Sequence, residues 1–205
     1  MNQRVRRWTR TLAAAAVIAG LPGMGHAETA RFNVDLDHSI VGFDVAHMVV
    51  SRTTGRFTDF QGSVVMDPDT KEFKTIDAVI QTASVNTNNK KRDDHLRSPD
   101  FFNAAKHPTM TFKMKSYTKT GDQYTATGDL TLLGVTKEIS LTGTFNGAVA
   151  DPYGNTRVGF TGEGTINRKD FGMQWTKTMD KGGLVVGDTV KIRLEIEAIQ
   201  EKKKG

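Results

Sequence analysis

Two short stretches carry the side chains best suited to chemistry. Asp37-His38-Ser39 holds the three residue types of a hydrolytic triad, and Arg92-Asp93-Asp94-His95 sets four acid or base groups in a row. A triad needs its members to converge on one reacting atom. Adjacent residues on a strand point to opposite faces, so 37–39 read as strand cannot converge. No strand-turn-helix elbow surrounds any serine either. Asp93, Asp94 and His95 are metal-ligand types, but no second histidine stands one helical turn away. A structural ion pair of Arg92 with Asp93 is the simpler reading. The chain has no cysteine, which excludes thiol catalysis, thiolate metal sites and disulfides. These residues therefore point to no catalytic constellation, no metal site and no enzyme.

The elements around them alternate. After residue 27, apolar and polar residues exchange at period two through most of the chain, the pattern of half-buried strands. Phe32, Val34 and Leu36 form one such face; Val41, Phe43, Val45 and His47 form the next. His47 on that face reads first as a satisfied core histidine. Ile76, Ala78 and Ile80 follow, then Met110, Phe112 and Met114, then Leu130 and Leu132, then Ile139, Leu141 and Phe145. Val158, Phe160, Gly162, Gly164 and Ile166 share a face whose glycines suggest a bend at a barrel corner. Phe171, Met173 and Trp175 alternate, and Val190, Ile192, Leu194 and Ile196 close the series. Turn clusters such as Asp67-Pro68-Asp69 and Asp151-Pro152-Tyr153-Gly154-Asn155 separate the runs.

Short connections imply antiparallel neighbours, and no helix-strand alternation is present. The expected fold is all-β: an antiparallel barrel of about eight strands with one short helical insertion. Closure removes exposed edges and leaves room for one small ligand. The insertion is expected to start at Ser98, a helix N-cap, with Pro99 in the first turn and Pro108 stopping it. Phe101 and Phe102 then plug one end of the barrel.

Residues 1–27 read as a secretory leader. Arg4, Arg6, Arg7 and Arg10 precede an apolar run from Leu12 to Leu21, and Gly25-His26-Ala27 offers a cleavage site after Ala27. That leaves residues 28–205 as a single domain exported to an oxidising compartment. The full chain holds 28 Lys and Arg against 23 Asp and Glu, and the leader carries four of those arginines. The remainder is almost neutral, which argues against nucleic acid as a partner.

Strand phase directs Phe43, Val45, Phe112, Met114, Phe160, Trp175 and Ile192 toward the interior, with His47 near them and Phe101 and Phe102 as the lid. A hollow interior of this kind suits a long-chain apolar lipid. The same side chains could also fill a solid core, and an interaction protein with an incidental cavity remains a third reading.

The ordered motifs narrow the choice. Asp37-His38-Ser39, Phe43, His47, Gly55-x-Phe57 and Gly62 come first. Arg92-Asp93-x-His95-Leu96, Phe101-Phe102 and His107-Pro108 follow, then Gly128-x-Leu130-x-Leu132-x-Gly134 and Arg168-x-x-Phe171-Gly172. In this order they resemble the YceI-like family of bacterial secreted and periplasmic proteins, over roughly Ala30 to Ile199. The resemblance implies a lipocalin-like barrel with an elongated pocket. It implies no cofactor in the catalytic sense, but a bound polyisoprenoid or isoprenoid quinone as ligand. It also implies homodimers, which some relatives form. A lipid carrier is further expected to touch a membrane transiently.

Overall fold

A computed structural model describes residues 29–180 and 182–202. The leader expected at residues 1–27 therefore lies outside the described residues. The chain runs back and forth as antiparallel strands. β1 (Ala30–Val34) and β2 (Ile40–His47) are two halves of one bent strand, interrupted by a 3₁₀ turn at Leu36–His38 that Asp35 caps through the Asp37 N–H. β3 (Ser51–Phe57) and β4 (Phe60–Asp67) return alongside as a second bent strand. Then come β5 (Glu72–Gln81), the short β6 (Val85–Asn86) and helix α1 (Lys90–Arg97). The chain finishes with β7 (Thr109–Thr120), β8 (Gln123–Leu132), β9 (Val135–Ala150), β10 (Thr156–Asn167) and β11 (Val186–Gln200).

The hydrogen-bonded ring is β1–β4–β5–β7–β8–β9–β10–β11, and β11 closes on β1 with Phe32 opposite Gln200. Counting each bent pair once, this is an eight-stranded up-and-down barrel. Its register follows the alternation: Phe160 lies opposite Ile196 and Phe145, and Phe112 opposite Leu130 and Ala78.

The helix differs from the expectation. It spans the four acid and base residues themselves and ends at Ser98. Asn89 is the N-cap, its side chain accepting from the Arg92 N–H at 3.0 Å. Asparagine caps as well as serine does, and a proline just past the C-terminus is as natural as one just inside the N-terminus. Ser98-Pro99-Asp100 instead makes a tight turn, with the Phe101 and Asn103 N–H groups donating to the Ser98 carbonyl.

The barrel has two differently built ends. At one, the β2–β3 hairpin tip, the α1 insertion and residues 168–180 and 182–185 gather; this is the lid end. At the other lie the turns at 68–71, 121–122 and 151–155. There Arg157 is the hub of an ion cluster. It donates to Asp151 at 2.8 Å, to Asp35 at 2.7 Å and to Glu197. The cluster ties the 151–155 turn to β11 and to the bend between β1 and β2. Asp35, His38 and Glu197 have ligand atoms close enough for a metal ion. Arg157 already bonds both carboxylates, so a cation there would meet a guanidinium.

The Asp151 carboxyl is held well below the usual carboxylate range by the Asn155 N–H and the Arg157 guanidinium. An unfolded aspartate titrates near 3.9. The unfolded chain therefore binds more protons below about pH 5, and stability falls with pH there. The melting temperature of the wild type is expected to drop steeply from pH 5 to pH 2. Asp151→Asn should melt lower at neutral pH with a flatter acid limb; parallel acid limbs in the two proteins would refute this.

Candidate functional site

The inward faces of the strands do not meet in the middle. They enclose a cavity of about 300 Å³, within the range of small-ligand pockets. Its lining runs from Val45 and Val186 at the lid end to Phe73, Tyr124 and Phe145 near the other. Between them the walls are Phe43, Phe57, Ile76, Phe112, Leu130, Ile139, Phe160 and Ile192, with little polar surface. Two packed layers cap the space. Phe57, Phe60, Phe101, Phe102, Phe171 and Met173 belong to the layer at the lid end; Phe32, Val64, Met66, Phe73 and Val158 belong to the other. One polar atom interrupts the second layer: the buried Tyr124 hydroxyl has no hydrogen-bond partner among the described residues.

The lid is built from both crossing segments. Phe102 meets Phe57 edge to face at 5.4 Å, and Phe101 packs on Trp175 at 5.2 Å. His95 joins them, 5.0 Å from Phe101 and 5.3 Å from Trp175, while its Nε2 pairs with Asp100 at 2.8 Å. The insertion is seated by Thr87. Asp93, buried, accepts from the Thr87 N–H and hydroxyl, and Arg92 donates to the Thr87 hydroxyl and carbonyl. So Arg92 and Asp93 are joined through Thr87 rather than by a direct ion pair.

Arg168 holds the opposite segment. Its side chain is almost fully buried, yet its donors are matched. Nε donates to the Gly187 carbonyl at 2.9 Å, Nη1 to the Met173 and Trp175 carbonyls at 2.8 Å each, and Nη2 to Asp188 at 3.0 Å. Burial pulls its pKa down, and Asp188 opposes that shift.

The YceI-like domain model matches residues 32–198, all but the outermost residues of this barrel. The chain belongs to the YceI-like family. Protein YceI of Escherichia coli O157:H7 is 38% identical to it over 180 residues, covering 87% of this chain and 91% of that protein. The YCEI protein of Campylobacter jejuni shares the fold at a TM-score of 0.68 and 37% identity, covering 77% of this chain and 90% of that one. A domain from Saccharophagus degradans described as polyisoprenoid binding superposes at a TM-score of 0.64, over 85% of this chain and 100% of that one. At 18% identity that likeness speaks to the fold.

Within this YceI-like barrel, Phe43, Val45, Phe112, Phe160 and Ile192 line the cavity in the phase of their strands, and Phe101 and Phe102 line it from the insertion. Three residues expected beside them do not. Met114 stands where β7 bulges against β8, so the alternation slips and the side chain packs between the two apolar layers. Trp175 lies behind Phe101, as backing for the lid. His47 keeps the inward phase but is the last residue of β2, paired with Val186 at the rim. Leu96, Met173, Val186 and Tyr124 join the lining without having been anticipated. Arg168 was legible in one respect: it continues the inward phase of Val158, Phe160 and Ile166, where a cation demands a partner.

Asp37-His38-Ser39 is not a strand segment and not a triad. His38 pairs with Asp35 at 2.9 Å, and the Ser39 hydroxyl donates to the Glu197 carbonyl at 3.1 Å. The three metal-ligand candidates of α1 also part: Asp93 turns to Thr87, Asp94 to Lys90 and Arg97, His95 to Asp100.

The inward glycines of this YceI-like domain make room for neighbouring side chains. A Cβ on Gly55 would lie 2.3 Å from the Phe43 ring, and one on Gly164 would lie 2.6 Å from Leu141. Close approach across strands, rather than a corner bend, is what these positions need. Gly55→Ala is expected to destabilise the barrel by about 1–3 kcal/mol, the usual range for overpacking. Urea unfolding measures it; no change in midpoint would mean that Phe43 moves freely aside.

Proposed function

We propose that this chain binds a long apolar lipid, of the polyisoprenoid or isoprenoid-quinone class, inside its barrel. It would serve as a periplasmic carrier, store or sequestering protein, without catalysis. The observation that carries this reading is the cavity itself, hollow along most of the barrel and apolar on nearly every wall. Each methylene buried there is worth about 0.8 kcal/mol, so a long chain needs little polar recognition to bind. The unpaired Tyr124 hydroxyl offers one donor to a carbonyl or ether oxygen on such a ligand. The polyisoprenoid-binding description of the Saccharophagus degradans domain supports the ligand class. The leader-like residues 1–27 support the compartment.

The test is to purify the protein from its native host, extract it with organic solvent and analyse the extract by mass spectrometry. A long-chain isoprenoid near one per chain is the expected result. An empty extract, unchanged after incubation with an isoprenoid quinone mixture, would overturn the reading.

A further inference from the structure

The tip of the β2–β3 hairpin is built against local preference. Met48 and Val49 both have left-handed backbones, at φ 50° and 65°. Two such residues in succession make the kind of turn that favours Asn-Gly. A β-branched valine there is an outlier. The side chains gain little burial in return: Val49 is 79% exposed and Val50 87%. The strain is held by the neighbouring segment. The Met48 N–H donates to the Val185 carbonyl at 3.0 Å, and Thr178 bridges to Leu184 to brace the adjoining turn. Met179 and Val49 flank Gly183 on that turn.

We propose that Met48, Val49 and Val50 form a membrane-insertion tip that seats the lid end of the barrel on an anionic bilayer. The tip carries no charge between His47 and Arg52. Around it, at the same end, Arg52, Lys91, Lys106 and Lys177 are exposed and outside the ion pairs of the described residues. The acids in the same condition there are Asp59, Asp170 and Asp180. An apolar apex inside a cationic collar is the arrangement that enters the headgroup layer of anionic membranes. Its position fits loading: Val45, three residues before the tip, lines the cavity, and so does Val186, the strand partner of His47. That use of the tip rests on the lipid-binding reading; the docking does not.

The experiment is flotation of the mature chain with vesicles of phosphatidylglycerol and phosphatidylethanolamine, compared with phosphatidylcholine alone. The wild type is compared with the triple variant M48N/V49G/V50T. The wild type should float with the anionic vesicles, and less so at high salt. The variant should lose at least about tenfold in binding while its melting temperature holds or rises, because Asn-Gly suits the turn. That pairing of opposite effects separates lost docking from lost folding. Equal flotation of both proteins, no flotation of the wild type, or a tip-dependent dimer in sedimentation would each overturn the proposal. Mass spectrometry of bound lipid on the same samples keeps the two readings apart. An empty wild-type barrel that still floats through its tip removes the cargo and leaves the docking. A loaded barrel that floats without its tip removes the docking and leaves the cargo.

Discussion

Arg168→Ala is expected to lower the free energy of unfolding by about 3–5 kcal/mol, the range for removing one partner from a buried charged network. The guanidinium bonds the carbonyls of Met173, Trp175 and Gly187 and the carboxylate of Asp188. Alanine would leave those acceptors facing an apolar interior, where each unmatched group carries its own desolvation cost. Arg168→Lys should recover little, because one ammonium cannot span the planar fork of contacts. The damage should be local before it is global. Residues 168–175 carry Phe171 and Met173 into the apolar layer and hold Trp175 against Phe101. Trp175 is the one tryptophan after residue 27, so its emission reports on this segment directly. A red shift at urea concentrations below the main transition is expected. A loss under about 1 kcal/mol with unchanged emission would show that the network is dispensable.

The second large effect is on binding. Ala126 faces the cavity from β8, between Tyr117 and Leu141. Ala126→Phe would push a ring into the open space. Excluding about four methylenes of ligand at about 0.8 kcal/mol each removes roughly 3 kcal/mol, on the order of a hundredfold in affinity. The barrel should tolerate the ring better than a packed core would, since the volume it enters holds no side chain. The bound-lipid ratio of the purified variant, and its titration with an isoprenoid quinone, measure the effect. Unchanged lipid content would place the ligand elsewhere.

Much of this architecture could be read from alternation. A strand buried on one face shows its phase in every second residue, which is why Phe43, Phe112, Phe160 and Ile192 were assignable to the interior. The misreadings occur where that period stops being informative. At Met114 a bulge interrupts the pairing. At His47 the strand outlasts the cavity. At the insertion two helix signals compete nine residues apart, and the choice between Asn89 and Ser98 depends on what each terminus packs against.

The sequence by itself determined the all-β class, the turn positions, the inward faces and the family motifs, because all of these are written in local order. Only the tertiary structure decided that the interior is hollow, since volume depends on how far apart the walls stand and not on which residues face inward. It also decided the pairings made across the chain: Arg157 with Asp35, 122 residues away, Arg168 with five partners, and the exposed apolar tip braced by the Val185 carbonyl. Such contacts leave no periodic trace. They exist because barrel closure brings strand ends together, and a charge buried there must find whichever acceptors the closure supplies.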